Sequence, residues 1–543
     1  MAVPFIAGAL VCYTRLDKFK SLALLRGRWA KVDTRQRDFQ SISAYYRESR
    51  DTRSNSNLNT ADVDDRTWAD LDMDLLFSKL DRTFTAAGEG ALYQVLRTPC
   101  LNLEELSERR RVISLFQKDQ DLREKIQLVF LKQGRRDSSE IVRLLWGELP
   151  PENRWLFAYN FMAIVALCSL FTPFLWGLNA ALIIPAVFSI NSYIHYRANK
   201  KYSVQLPSIS SLGALLRTAR KIARMRAAGL EGWQQKLKTA SAATQKILRK
   251  TRFLNTYISG SDLDIFYEYM KILFLLEVRC FYGALREIKN EIAHLRTIYR
   301  VLGMLDALQS VASYRESLED YTEPELGSEG VFLRVKDIRH PLLENPVPNS
   351  VTLDKEHASG IIITGSNMSG KSTFLKTIGI NAILAQTIYT CCAGSYRASF
   401  FQIVSSMSKM DDLAQGKSFY YLEAERLLKI VNLPDTKVPA LCLIDELLAG
   451  TNYAERLSAS EAILHFLSRK NVLVVVATHD LDLPEKLEGF YHCCHFTDQV
   501  DRYGLNFDYT LKEGVATTRN AIKLLEYLGY PHELVERARG GVL

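Results

Sequence analysis

Apolar residues recur every three or four positions from Leu71 to Leu131 and again from Ser211 to Ala312, with few glycines, so both stretches predict long helices. Between them, Trp155 to Tyr196 is a run of 42 residues without Asp, Glu, Lys or Arg. A membrane span needs about 20 mainly apolar residues, so this run suits a helical hairpin, residues 155–173 and 178–196, with its break at Pro173, Gly177 and Asn179. Arg154 on one flank and Arg197, Lys200 and Lys201 on the other place both ends in the cytoplasm by the positive-inside rule. A buried hairpin within a helical domain is the alternative. The helical pattern breaks at residues 321–330, and beyond it strands and helices alternate as in a parallel α/β sheet.

At 543 residues the chain is too long for a single core. The pattern divides it into an N-terminal apolar segment and polar linker (1–67), a first helical half (68–154), the transmembrane hairpin (155–196), a second, basic helical half (197–320) and an α/β domain (321–543). Nine cysteines show no repeating spacing, which excludes a disulfide framework and fits a reducing compartment. His492-Cys493-Cys494-His495 does not suit a metal, because neighbours on a strand face opposite sides. The overall charge of +8 says little, but its distribution matters: between Arg197 and Arg252 stand fourteen Lys or Arg and one acid, Glu231. Arg217, Arg220, Lys221 and Arg224 share one helical face, a stripe suited to phosphates of DNA or of lipid headgroups, or an ordinary solvated face.

The chemistry lies after residue 330. A β-branched strand, Ile361 to Thr364, runs into Gly365-Ser366-Asn367-Met368-Ser369-Gly370-Lys371-Ser372-Thr373, a G-x-x-x-x-G-K-S loop between strand and helix. Such a loop closes backbone N–H groups around phosphates, with Lys371 on the β/γ-phosphates and the Ser372 hydroxyl on Mg²⁺. A second strand, Ala440 to Ile444, ends in Asp445-Glu446, which suits Asp445 to Mg²⁺ and Glu446 to polarising the attacking water. A third, Val472 to Ala477, ends in Thr478-His479-Asp480 and sets His479 to sense the γ-phosphate.

The phosphate loop, Asp445-Glu446-Leu-Leu-Ala-Gly450-Thr451-Asn452, Ala477-Thr-His-Asp480 and the segment Asp411 to Glu423 together resemble the ATPase domain of the MutS family. The resemblance covers residues 330–540 well, and a weaker one begins at Leu76. It implies an ABC-type α/β P-loop NTPase preceded by an all-α core and lever domain, here interrupted by the hairpin. It implies ATP and Mg²⁺ as cofactors, Lys371, Glu446 and His479 as catalytic groups, and Val347 and Asn349 beside the adenine. It further implies Ser418 as a contact to the nucleotide of the partner in a homodimer, with DNA as the usual substrate. Pro346 stands where an aromatic is usual, and Glu455-Arg456 replace the family's Asp-Gly. No mismatch-reading domain is expected before residue 70. The expected protein is therefore a multi-pass protein of a bacterial inner membrane with a cytoplasmic ATPase domain, in which ATP-driven dimer closure moves helical levers, acting on DNA. A membrane scaffold or remodelling ATPase is the alternative. A transporter is excluded, since two or three spans build no translocation path and L-S-G-G-Q is absent.

Overall fold

The computed structural model describes residues 16–50, 61–135, 138–149, 156–201, 205–251, 269–327, 330–366, 368–407, 419–434, 436–501, 504–515 and 525–540. These fall into two units, one from the described residues of Met1–Leu58, Leu80–Gln94 and Arg111–Glu316, the other from those of Asn59–Lys79, Val95–Arg110 and Ser317–Leu543.

The first unit is helical, and its uncharged run corrects the sequence expectation. Instead of two long spans, it forms α1 (Leu156–Ser169), a short helix at Thr172–Trp176, a 3-10 turn at Leu178–Leu182 and α2 (Ile183–Lys201). With 14 residues, α1 rises about 21 Å, short of the roughly 30 Å of a bilayer's hydrocarbon core. Gly177, with φ of 82°, ends the short helix and turns the chain. α2 has 19 residues, but it carries Asn191, His195 and Arg197 and ends in Lys200 and Lys201. Asn191 is fully buried and donates from Nδ2 to the Leu273 carbonyl at 2.6 Å, so it is held by protein. Among the described residues no helix is long and apolar enough to cross a membrane, which overturns the transmembrane hairpin and, with it, the multi-pass inner-membrane localisation. Ala166 of α1 and Val187 of α2 pack with Leu273, and Asn160 accepts from Arg279 Nε at 2.8 Å.

Next come α3 (Gln205–Arg224), α4 (Glu231–Ala243), α5 (Gln245–Thr251), α6 (Leu276–Asn290) and α7 (Ile292–Arg315). α7 is the hub: Leu295, Ile298, Tyr299, Leu302, Leu305, Val311 and Tyr314 are all at most 1% exposed. Asp306 also lies in this apolar setting, fully buried, and is tolerated because it accepts from the Thr85 amide at 2.8 Å, the Thr85 hydroxyl at 2.7 Å and the Phe84 amide at 3.1 Å. Burial pushes its carboxyl up to about 7.

The second unit holds a six-stranded sheet built from β4 (Gly360–Thr364), β6 (Gln402–Met407), β7 (Ala440–Asp445), β8 (Val472–Thr478), β9 (His492–His495) and β12 (Lys512–Glu513), where β1–β3, β5, β10 and β11 are Glu325–Gly327, Phe332–Ile338, Asn349–Asp354, Ser395–Ser399, Asp498–Asp501 and Gly504–Phe507. Its order is β12-β9-β4-β8-β7-β6, with all pairs parallel except β12 on β9. β4 and β8 are buried along their whole length, as their sequences, mostly β-branched and free of charge, require in a sheet covered on both faces. α9 (Phe419–Val431) and α10 (Tyr453–Ser468) cover one face, where Leu427, Ile430, Leu464 and Leu467 meet Ile362, Cys442, Val474 and Val476. Against the other lies α8 (Lys371–Ile388), so close that a Cβ on Gly379 would come within 2.5 Å of Leu443 Cδ1. The edge strand β6 is capped by a helix at Asp65–Asp70: Asp70 accepts from the Ser405 hydroxyl at 2.7 Å and the Met407 amide at 3.1 Å.

Candidate functional site

Parallel strands end together, so β4, β7 and β8 deliver their last residues to one edge of the sheet. Thr364 stands opposite Thr478, and Asp445 opposite Ala477. Past β4 the chain must reverse into α8. Gly370, with φ of 109°, forms the N-cap of α8 in a conformation that side chains disfavour, and Gly365 lies where a Cβ would meet the Phe496 carbonyl at 2.8 Å. Met368, at φ of 68°, projects outward, 81% exposed. The first turn of α8 therefore points its backbone N–H groups into the loop, a setting that favours an anion.

Lys371 is buried and donates to the carbonyls of Gly365 at 2.9 Å and Ser366 at 2.8 Å, with its Nζ 3.3 Å from His479 Nε2. The Ser366 and Ser369 hydroxyls are buried beside it with no hydrogen-bond partner among the described residues. Glu446 adopts φ of 62°, donates its amide to the Ala477 carbonyl at 2.9 Å and turns its Oε1 to within 3.2 Å of His479 Nε2. That hydrogen bond from His479 holds the Glu446 carboxyl below the usual carboxylate range, against partial burial.

These groups line one cavity of about 850 Å³, within the range of small-molecule sites. Met368, Gly370, Lys371, Ser372, Thr373, Asp445, Glu446 and His479 line it together with Val347 and Asn349. The structure thus brings these sequence-expected residues together. Asn367 and Ser418 lie outside the described residues. Arg217, Arg220, Lys221 and Arg224 line a separate cavity in the helical unit.

Several lining residues escaped the sequence pattern. Pro346 does line the cavity, but Tyr509 and Phe496 supply aromatic rings there. Asn349 explains the position of Tyr509: its Nδ2 donates to the Tyr509 carbonyl at 3.0 Å, and its Oδ1 accepts from the Leu511 amide at 2.7 Å. His340, also in the wall, is lowered to about 4 by burial and stays neutral. The loop after Asp445 is anchored by Asn452, whose side chain caps α10 at the Glu455 amide, and by Arg456, whose fork grips Asp480 at 2.6 and 2.9 Å. Where the resemblance expects Asp-Gly, Glu455 thus gives its amide to the Asn452 cap and Arg456 an ion pair to Asp480.

The donor set fits a nucleoside triphosphate with Mg²⁺: a helix N-terminus and lysine for phosphates, a hydroxyl and a carboxylate for the cation, and an aromatic-lined pocket for a base.

Comparison with known families finds MutS domain V over residues 361–542 and MutS domain III over residues 51–312. Among curated proteins, the DNA mismatch repair protein MutS of Thermotoga petrophila is 32% identical over 270 residues, 48% of this chain and 33% of that protein. The DNA mismatch repair protein MutS of Thermus thermophilus is 31% identical over 261 residues, 47% of this chain and 31% of that protein. The DNA mismatch repair protein MutS 2 of Halobacterium salinarum is 28% identical over 272 residues, 49% and 31% of the respective chains. The chain spans about a third of the length of these relatives.

Proposed function

Taking the chain as a member of the MutS family, with that family's domains III and V, we propose that it binds and hydrolyses ATP with Mg²⁺ as a homodimer and acts on DNA. The observation that carries the reading is the meeting of Lys371, Glu446 and His479 at three strand ends beside the N-terminus of α8. Phosphate oxygens replace the Gly365 and Ser366 carbonyls as partners of Lys371. Ser372 and Asp445 would hold Mg²⁺, which would supply charge neutralisation at the phosphates. Glu446, kept ionised by His479, orients the attacking water and takes its proton. Tyr509 and Val347 flank the base. The dimer follows from the resemblance that sets Ser418 against the partner's nucleotide, and the dimer's closure moves the helical unit. The relatives are DNA mismatch repair proteins by name, which makes DNA the substrate class of choice here.

Subunit mixing tests this reading. A Lys371→Ala subunit binds no nucleotide but offers an intact Ser418, whereas a Ser418→Arg subunit binds nucleotide but blocks the contact it gives. Each homodimer should be inactive, and the mixture should recover turnover from one working site per heterodimer. Absence of recovery despite demonstrated subunit exchange contradicts the composite site.

A further inference from the structure

Within the helical unit, residues 27–34 border a cavity of about 240 Å³. Two hydrogen bonds pin that segment: the Ala30 amide donates to Ser313 Oγ at 3.0 Å, and Arg82 Nε donates to the Lys31 carbonyl at 2.8 Å. Arg82, Gln127, Gln309 and Ser313 give the cavity a buried floor, whereas Arg28 and Lys31 are exposed and form its rim.

The floor carries an unmatched polar group. Gln309 stands one turn before Ser313 on α7 and is 1% exposed, and neither its Nε2 nor its Oε1 has a hydrogen-bond partner among the described residues. A buried polar group without a partner costs its full desolvation, so interiors seldom leave both ends of a carboxamide unmatched. What matches a carboxamide is a molecule that sets a donor beside an acceptor.

Charge and size narrow the class. Burial lowers the Arg82 guanidinium to about 10, so it stays protonated at neutral pH, with the Tyr314 ring centroid 5.6 Å away. Arg28 and Lys31 place positive charge at the rim, and Asp33, also in the lining, is held by Arg35 at 3.2 Å. Cations at two depths suit a ligand with two anionic ends, since a hydrogen bond to an ionised partner is the stronger kind. At ~30 Å³ of liquid per water the cavity has room for about eight waters, or for a molecule of about as many non-hydrogen atoms. We propose that this cavity binds a small dicarboxylate bearing an amino or hydroxyl group, one carboxylate towards Arg82, the other towards the rim, and the added donor on Gln309 Oε1.

The test is calorimetric titration of the full chain with L-malate, L-aspartate and succinate, which are close in size and differ in the donor. The wild type should bind L-malate and L-aspartate about 5- to 100-fold more tightly than succinate, which leaves Gln309 Oε1 unmatched. Gln309→Met, of similar volume, should erase that preference. Arg28→Ala/Lys31→Ala, at exposed positions, should weaken all three ligands by about 2- to 5-fold per charge and keep the preference. Denaturant unfolding checks that each variant is folded. No saturable binding by the wild type at millimolar concentration overturns the site, and so does equal affinity for L-malate and succinate. A preference that survives in Gln309→Met overturns it as well. If Gln309→Met does not fold, the rim variant decides, and affinities unaltered there overturn the proposal.

Discussion

His479 Nε2 lies 3.2 Å from Glu446 Oε1, and each side chain is about a third exposed. The same nitrogen is 3.3 Å from Lys371 Nζ, so one imidazole touches both the lysine and the carboxylate.

The sign of the resulting pH dependence is set by Glu446. Its pKa is depressed chiefly by the His479 hydrogen bond, so the ionised base is present at and above the ordinary range and is lost only as pH falls through the lowered value. His479→Ala removes that hydrogen bond and leaves the opposing burial. The acid limb of the kcat profile for ATP hydrolysis should then move to higher pH. Identical limbs in the two proteins would show that His479 does not hold Glu446 ionised.

Tyr509 provides the aromatic ring that Pro346 does not. Tyr509→Ala should raise the Kd for ATP by about 3- to 10-fold, the worth of one ring contact, and leave kcat nearly unchanged. Equilibrium binding with a fluorescent ATP analogue measures it. An unchanged Kd removes Tyr509 from the base site.

Asp306 should make the helical unit sensitive to pH. Its carboxyl is raised to about 7 by burial, so its stabilising contribution is complete below the ordinary Asp range and is lost as pH rises through about 7. The stability of the wild type relative to Asp306→Asn should therefore fall between about pH 4 and pH 7, at up to about 1.4 kcal/mol per pH unit. Denaturant unfolding of both proteins across that range measures it, and a difference that rises with pH refutes the assignment. Glu89, raised to about 7 by burial and by Asp81, shares this window, so the Asn comparison is made on one background.

The phosphate loop, Asp445-Glu446 and His479 were legible in the sequence because each sits at the end of a buried strand, and parallel strands must present those ends together. Tyr509 was not legible. It sits between β11 and β12 with φ of 52°, and what aims it is Asn349, 160 positions earlier. Asp306 was hidden for a related reason, since its partners at Phe84 and Thr85 come from the far end of the helical region. The uncharged run misled because composition registers length without folds. The breaks at Gly177 and the 3-10 turn leave α1 too short to span, while α2 carries Asn191, His195 and a basic end, and Asn191 spends its polarity on Leu273.

The central claim, that Glu446 performs chemistry at a site where Lys371 performs binding, is tested most directly by measuring ATP affinity and steady-state turnover on the same preparations of Lys371→Ala and Glu446→Gln. Lys371→Ala should lose ATP binding and turnover together. Glu446→Gln should bind ATP as the wild type does and lose about 10²- to 10⁴-fold in kcat. Wild-type turnover by the Glu446→Gln protein would contradict the account.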